Sequence, residues 1–236
     1  MVEVIELGDV CISVTRKDVR NVHLSVHPPD GRVTLVAPLN TRLDVARAYA
    51  ISKLMWIRQQ QEQLKNQARE TPRAYVDRES HYLWGRRRLL KVVYADLKAS
   101  VKYDHRYITL SVRPGSDVDK RAAVMHEWHK SLLHAAVPGL ISKWQDNLGV
   151  VVRHYFLQRM KTKWGSCNYT AGNIRINTEL VKKPKDLLEY VVVHELVHLL
   201  EPNHSERFVE ILQHHYPTWR DARAELNELP LTAEEW

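Results

Sequence analysis

Cysteine is scarce in this chain. Cys11 and Cys167 are the only two among 236 residues, and they lie far apart. Such a pair makes no disulfide framework and fits a reducing compartment. Long apolar runs are missing as well. No stretch of about 18 apolar residues exists, so no membrane span is expected. The opening MVEVIELGDV has no basic stretch followed by an apolar one. A secretory leader is therefore not expected, and the cytoplasm is the expected location. No glycine-rich phosphate loop, internal repeat or low-complexity segment is visible.

What is present is ordinary for a globular protein: 44% hydrophobic and 27% charged residues. The length suffices for one large domain or two small ones. A net charge of +7 permits attraction to nucleic acid or to acidic substrates and establishes neither. Arg86-Arg87-Arg88 reads as a solvated basic face. Arg159, Lys161 and Lys163 form a second basic cluster.

The most informative stretch is His194-Glu195-Leu196-Val197-His198, followed six residues later by His204. On a helix, positions four apart share one face. His194 and His198 can then meet one metal ion. Glu195 stays off that pair and is free to take a proton from water activated at the ion, the arrangement of zinc hydrolases. As a plain core helix, YVVVHELVHLL would bury two histidines and a glutamate without partners, which is costly. Lys183-Pro184-Lys185-Asp186 reads as the helix start, and Pro202 as its end. Asn203 and Glu206 have capping-box spacing, which places His204 in the first turn of a new helix. The spacing equals that of H-E-x-x-H-x-x-G-x-x-H, with Glu201 in place of the glycine. Glu201, Glu206 and Glu210 are rival third ligands; His204 is preferred because the turn at Pro202 explains its return.

Other constellations are weaker. His126-Glu127-Trp128-His129 is one spacer short of the motif and reads as a helix-surface coincidence. His214 and His215 are adjacent and point in different directions. Lys163-Trp164-Gly165-Ser166-Cys167 reads as a loop. Trp164, Gly165 and Ser166, with Asn177 nearby, are candidates to support the metal ligands or to meet substrate. Cys167 has no base marked beside it.

Strands are expected at 2–7, 10–14, 22–26 and 32–37, with hairpin turns at Gly8-Asp9 and Pro28-Pro29-Asp30-Gly31. One long helix at about 42–67 follows, opened by Thr41 and Asp44. A second strand-rich stretch covers 81–83, 89–94, 101–103 and 107–112. A helix over 117–148, bent near Pro138-Gly139, is expected to end on Gly149. Strands at 150–157 and 174–177 precede the motif helix. Two helices, about 204–215 and 217–228, come last. The layout is α+β, with residues 1–115 a β-rich N-terminal region and 116–236 a catalytic domain.

Met160 to Cys167, Gly172-Asn173-Ile174-Arg175-Ile176-Asn177, Tyr190 to His198 and Asn203-His204-Ser205-x-x-Phe208 together resemble the YgjP-like predicted metal-dependent hydrolases. These are small zincins similar to SprT-like proteins and minigluzincins. The resemblance is strong over about 150–229. It implies a zincin-like C-terminal domain with an HExxH active-site helix, a backing helix and a small sheet. By the same resemblance His194, His198 and His204 hold one Zn2+ and Glu195 is the catalytic glutamate.

Three functions follow as expectations. The first is a zinc metallopeptidase acting on peptides or proteins, with an extended substrate aligned along the strand at 174–177. The second is a metal-dependent hydrolase of nucleotides or other phosphoanhydrides. The third is a DNA-associated zinc-binding module, in which Glu195 would be superfluous.

Overall fold

A computed structural model describes residues 3–27, 31–66, 73–160 and 163–228. Val2, the Pro28-Pro29-Asp30 turn and Lys161 lie outside these residues. The chain divides into two compact units, 1–69 and 70–232.

The first unit holds strands β1 (Glu3–Leu7), β2 (Val10–Lys17), β3 (His23–His27) and β4 (Arg32–Pro38). They form a sheet in the order β1-β2-β4-β3. The β1/β2 and β3/β4 pairs are antiparallel, as their turn residues lead one to expect, and β2/β4 is parallel. Alternation puts Ile12, Val14, Val33 and Leu35 inside, where Ala46, Ala50 and Ile57 of the following helices join them. The single helix expected over 42–67 is two, α1 (Leu43–Ser52) and α2 (Leu54–Asn66). The Ser52 hydroxyl donates to the Tyr49 carbonyl at 2.7 Å, the acceptor that a continuing helix would offer to Lys53. The Lys53 amide turns to Ala50 instead, at 3.1 Å. Arg42 is the N-cap of α1 and makes no side-chain cap bond.

The second unit opens with β5 (Ser80–Leu83), β6 (Arg86–Tyr94), β7 (Ser100–Tyr103) and β8 (Tyr107–Val112). Their order is β5-β6-β8-β7, again with a parallel central pair between antiparallel outer pairs. Each unit thus begins with the same four-strand topology followed by helix, a repeat carried by pairing pattern rather than by residue identity. The unit boundary falls before this sheet, not at 115/116. Leu83, Leu90, Ile108 and Leu110 share one core with the helices that follow them. Within β6, Arg88 is not solvated as expected: it is buried and donates to the carbonyls of Leu83 and Asp104.

Helix α3 (Val118–Leu148) runs 31 residues through Pro138 without interruption. The Asp117 carboxylate caps its start by accepting from Lys120, and Gly149, at φ +66, closes its end. Met125, His129, Leu133, Val137, Ile141, Trp144 and Leu148 form its buried stripe. A three-stranded sheet follows, β10-β11-β9, built from β9 (His154–Gln158), β10 (Gly165–Asn168) and β11 (Asn173–Asn177). Residues 165–168, expected as loop, are therefore an edge strand, and β11 is the central one. After a 3₁₀ turn (Thr178–Lys182) come α4 (Lys185–Val197), α5 (Glu206–His215) and α6 (Trp219–Glu228). The architecture is α+β, and none of the described helices is long and apolar enough to cross a membrane.

The hairpin tip between β5 and β6 docks on the segment that leads into α4. The amides of Trp84 and Gly85 donate to the carbonyls of Val181 and Lys182 at 2.8 and 3.1 Å. Gly85 has φ +75, and a Cβ there would lie 2.8 Å from Pro184 Cγ. Gly85→Ala is expected to destabilise the chain by about 2 kcal/mol, through left-handed strain plus that clash. A chemical-denaturation midpoint equal to wild type would contradict this docking.

Candidate metal centre and active site

Helix α4 is apolar on nearly every side. Leu187, Leu188, Tyr190, Val191, Val192, Val193, Leu196 and Val197 are buried, and the helix packs against α3, α6 and the three-stranded sheet. A helix so enclosed must account for each polar group it carries. In its last turns those groups are His194, Glu195 and His198. The helix ends at Val197, with His198 as its C-cap, so it stops ahead of Pro202. Bonds from Leu199 to Leu196 and from Leu200 to Val197 tighten the chain there. Helix α5 is capped by Ser205, whose hydroxyl accepts from the Phe208 amide at 3.3 Å. Asn203 is not the cap; its own amide donates to the Glu201 carboxylate at 3.4 Å. His204 therefore precedes α5 instead of sitting in its first turn.

The structure brings His194, His198 and His204 together, each with a ring nitrogen within 4.8 Å of the others. Ring centroids lie 4.9 Å apart for His194 and His198, 5.1 Å for His194 and His204, and 4.7 Å for His198 and His204. The buried Phe208 ring touches all three, at 5.0, 4.6 and 4.8 Å, and forms a common floor. His198 Nδ1 lies 3.1 Å from the Glu201 carbonyl. A carbonyl only accepts, so Nδ1 donates and Nε2 keeps its lone pair for the cluster. Glu201 thus serves through its backbone. Its carboxylate and those of Glu206 and Glu210 are outside the cluster.

These donors fit a divalent cation. His194 Nε2 and His204 Nε2 are 3.1 Å apart. Burial, with the charges of His198 and His204 next, pushes His194 down to about 3, and burial also lowers His198. Two imidazole nitrogens facing each other at this distance gain nothing unless a proton or a metal lies between them. Ligand nitrogens around a tetrahedral zinc stand about 3.3 Å from one another, close to this spacing. Zinc prefers neutral imidazole, the form that burial favours here.

Glu195 is 5% exposed. Burial pushes its carboxyl up to about 8, against a lowering by Lys163. The backbone of Gly165 lies directly on it: a Cβ at that position would meet Glu195 Cγ at 2.7 Å and Cδ at 2.8 Å. Glycine at 165 is thus a matter of contact and not of dihedral freedom. Trp164, Gly165 and Ser166 line the same cleft of about 480 Å³ as the three histidines and Glu195. Asn177 does not line it. Its side-chain amide donates to the carbonyls of Met160 and Lys163, both at 2.8 Å, while its Oδ1 accepts from Glu179. Asn177 therefore pins the two ends of the segment that carries Lys163 and Trp164 to the cleft.

Several lining residues gave no signal as site residues in the sequence, among them Tyr190, Arg223 and Asn227. Tyr190 could have been found, since it sits one turn before His194 on the same helix face. Arg223 and Asn227, on α6, carried no motif. Cys167 lines the cleft too, but burial, with Glu195 next, pushes its thiol up to about 11, far from a thiolate nucleophile. His129 is buried in the α3 stripe and Glu127 pairs with Lys130, so 126–129 make no second cluster among the described residues. The rings of His214 and His215 meet edge to face, with centroids 4.8 Å apart, and are not part of the triad. Arg159 pairs with Glu179 at 3.3 Å.

A family model described as "YgjP-like, metallopeptidase domain" matches residues 20–229. No curated protein matches the chain. Among solved structures, the chain is similar to the metallopeptidase zymogen abylysin of Pyrococcus abyssi, at 19% identity over 38% of this chain and 90% of that one, with a TM-score of 0.36. It is also similar to the zymogen jannalysin of Methanocaldococcus jannaschii, at 20% identity over 38% and 92%, with a TM-score of 0.34.

Two outcomes test this geometry. His204→Ala should lower zinc affinity by about 10²-fold or more in a competition titration. Stoichiometric zinc at unchanged affinity would remove His204 from the ligand set. The second concerns the metal-free chain, where Glu195 holds its proton more tightly folded than unfolded. Its contribution to stability is present below the ordinary carboxyl range and is lost as pH rises towards 8. Glu195→Gln should therefore gain stability over wild type as pH rises from 5 to 8, measured by urea unfolding in chelator. A gap that is flat in pH would contradict the buried carboxyl.

Proposed function

Because the chain belongs to the YgjP-like metallopeptidase family, we propose that it is a zinc-dependent peptidase in which His194, His198 and His204 hold the ion and Glu195 is the general base. The observation that carries this reading is the cluster of three imidazoles beside a buried carboxyl. Bound there, zinc supplies an acidified water and polarises the substrate carbonyl.

The remaining work falls to the chain itself. Glu195 accepts the proton of the attacking water. Its carboxyl lies near neutrality in the metal-free chain, and a nearby cation draws it lower, into the range where it is a base. The same carboxyl then returns the proton to the leaving amine. Gly165 holds it in place by contact, so the base does not swing away between the two transfers. Burial raises the Tyr190 phenol, which stays protonated within the cleft. A neutral phenol there is a donor for the carbonyl oxygen as that oxygen gains charge.

Strand β10 supports a peptide substrate in particular. It is the edge of its sheet, and Gly165, Ser166 and Cys167 line the cleft. An extended peptide added along this edge would meet backbone donors and acceptors at regular spacing. The central strand β11 has no such edge, since β10 and β9 occupy both its sides.

Glu195→Gln is expected to retain one zinc and lose about 10²- to 10⁴-fold in turnover of a peptide library. Nucleotides run in parallel should stay intact. Unchanged turnover in the variant would take Glu195 out of the mechanism. Gly165→Ala should lose activity comparably while keeping its zinc and its circular dichroism, because the added methyl displaces the carboxyl. Full activity in that variant would contradict the contact.

A further inference from the structure

Helix α6 turns Trp219, Ala222 and Leu226 into the core. At helical spacing this leaves Arg223 and Asn227, four residues apart, on one flank. Both line the cleft that holds Tyr190 and His194. Arg223 is exposed and makes no hydrogen bond or ion pair among the described residues. Several other arginines of this unit are engaged. Arg88 donates to two carbonyls, Arg121 to Tyr75, Tyr94 and Ser116, and Arg220 to Gln213. Arg223 thus brings a free guanidinium, with five donors in a planar fork, to the rim of the reaction centre.

The balance of charge points the same way. Apart from the histidines, the charged groups among the described residues that line the cleft are Lys163, Arg223 and Glu195. Glu195 is buried against Gly165. The open part of the cleft therefore presents two cations. A guanidinium fork matches a carboxylate in shape as well as charge, which an ammonium does not.

We propose that Arg223 receives a carboxylate of the substrate, so that the cleft selects peptides with an acidic group close to the bond that is cut. This deepens the peptidase reading and rests on it. The carboxylate has two possible sources, the α-carboxylate at the end of a peptide or an Asp or Glu side chain within it. Lys163 adds attraction at longer range and no fork.

The test is equilibrium binding to the full chain in chelator, because a bound metal would itself attract a carboxylate. One glutamate is walked along a neutral fluorescent decapeptide, with glutamine twins, and each peptide is made as free acid and as amide. At low salt, at least one carboxylate form should bind about tenfold tighter than its neutral twin, about 1.4 kcal/mol. Arg223→Gln should cut that preference below about twofold, and Arg223→Lys should keep part of it. A preference between glutamate and glutamine assigns the side chain; one between acid and amide assigns the α-carboxylate. No preference in wild type, or one that survives Arg223→Gln, overturns the proposal. No bond breaks in this assay. Failure to cleave any peptide would overturn the peptidase reading and leave the carboxylate preference standing as a separate result.

Discussion

Three imidazole nitrogens held within reach of one another at the end of an apolar helix are the constraint on which this site depends. Burial keeps His194 and His198 from protonating, so charge repulsion is avoided, but their lone pairs are left facing inwards. A cation resolves that conflict better than water or a shared proton, since it takes all three lone pairs at once. The same helix turn places Glu195 beside the cluster and not in it. Folding and chemistry are coupled here: the apolar packing that forms α4 also encloses the polar groups of its last turns.

The surrounding structure serves to hold that end still. Phe208 floors the rings, and the Glu201 carbonyl sets the tautomer of His198. Gly165 backs the carboxyl, and Asn177 ties down the segment from which Lys163 and Trp164 reach the cleft. The β5–β6 hairpin tip anchors the approach to α4 through Trp84 and Gly85. Apart from the Glu201 carbonyl, these contacts join elements distant in sequence, so the geometry of the site is a property of the whole second unit.

That explains what could be read from residue order. His194 and His198 share one face by helical period alone, with Glu195 beside it. His204 needed a turn, and Pro202 marked one, although the helix ends earlier and Ser205, not Asn203, caps the next. Strand β10 was invisible because Gly165-Ser166-Cys167 has the composition of a loop; pairing with β11 makes it a strand. The second sheet resembles the first in pattern, so pattern alone does not say which core it joins. Only its packing with α3 assigns it to the other core. Arg223 had no local signature, since its significance comes from which cleft α6 happens to border.

The most direct measurement is zinc K-edge absorption on the purified, zinc-loaded chain, with the metal content determined on the same sample. The account requires one zinc per chain, ligated by three imidazole nitrogens at about 2.0 Å with room for one further light atom. Absence of bound metal, or a ligand shell containing sulfur or fewer than three imidazoles, would contradict it.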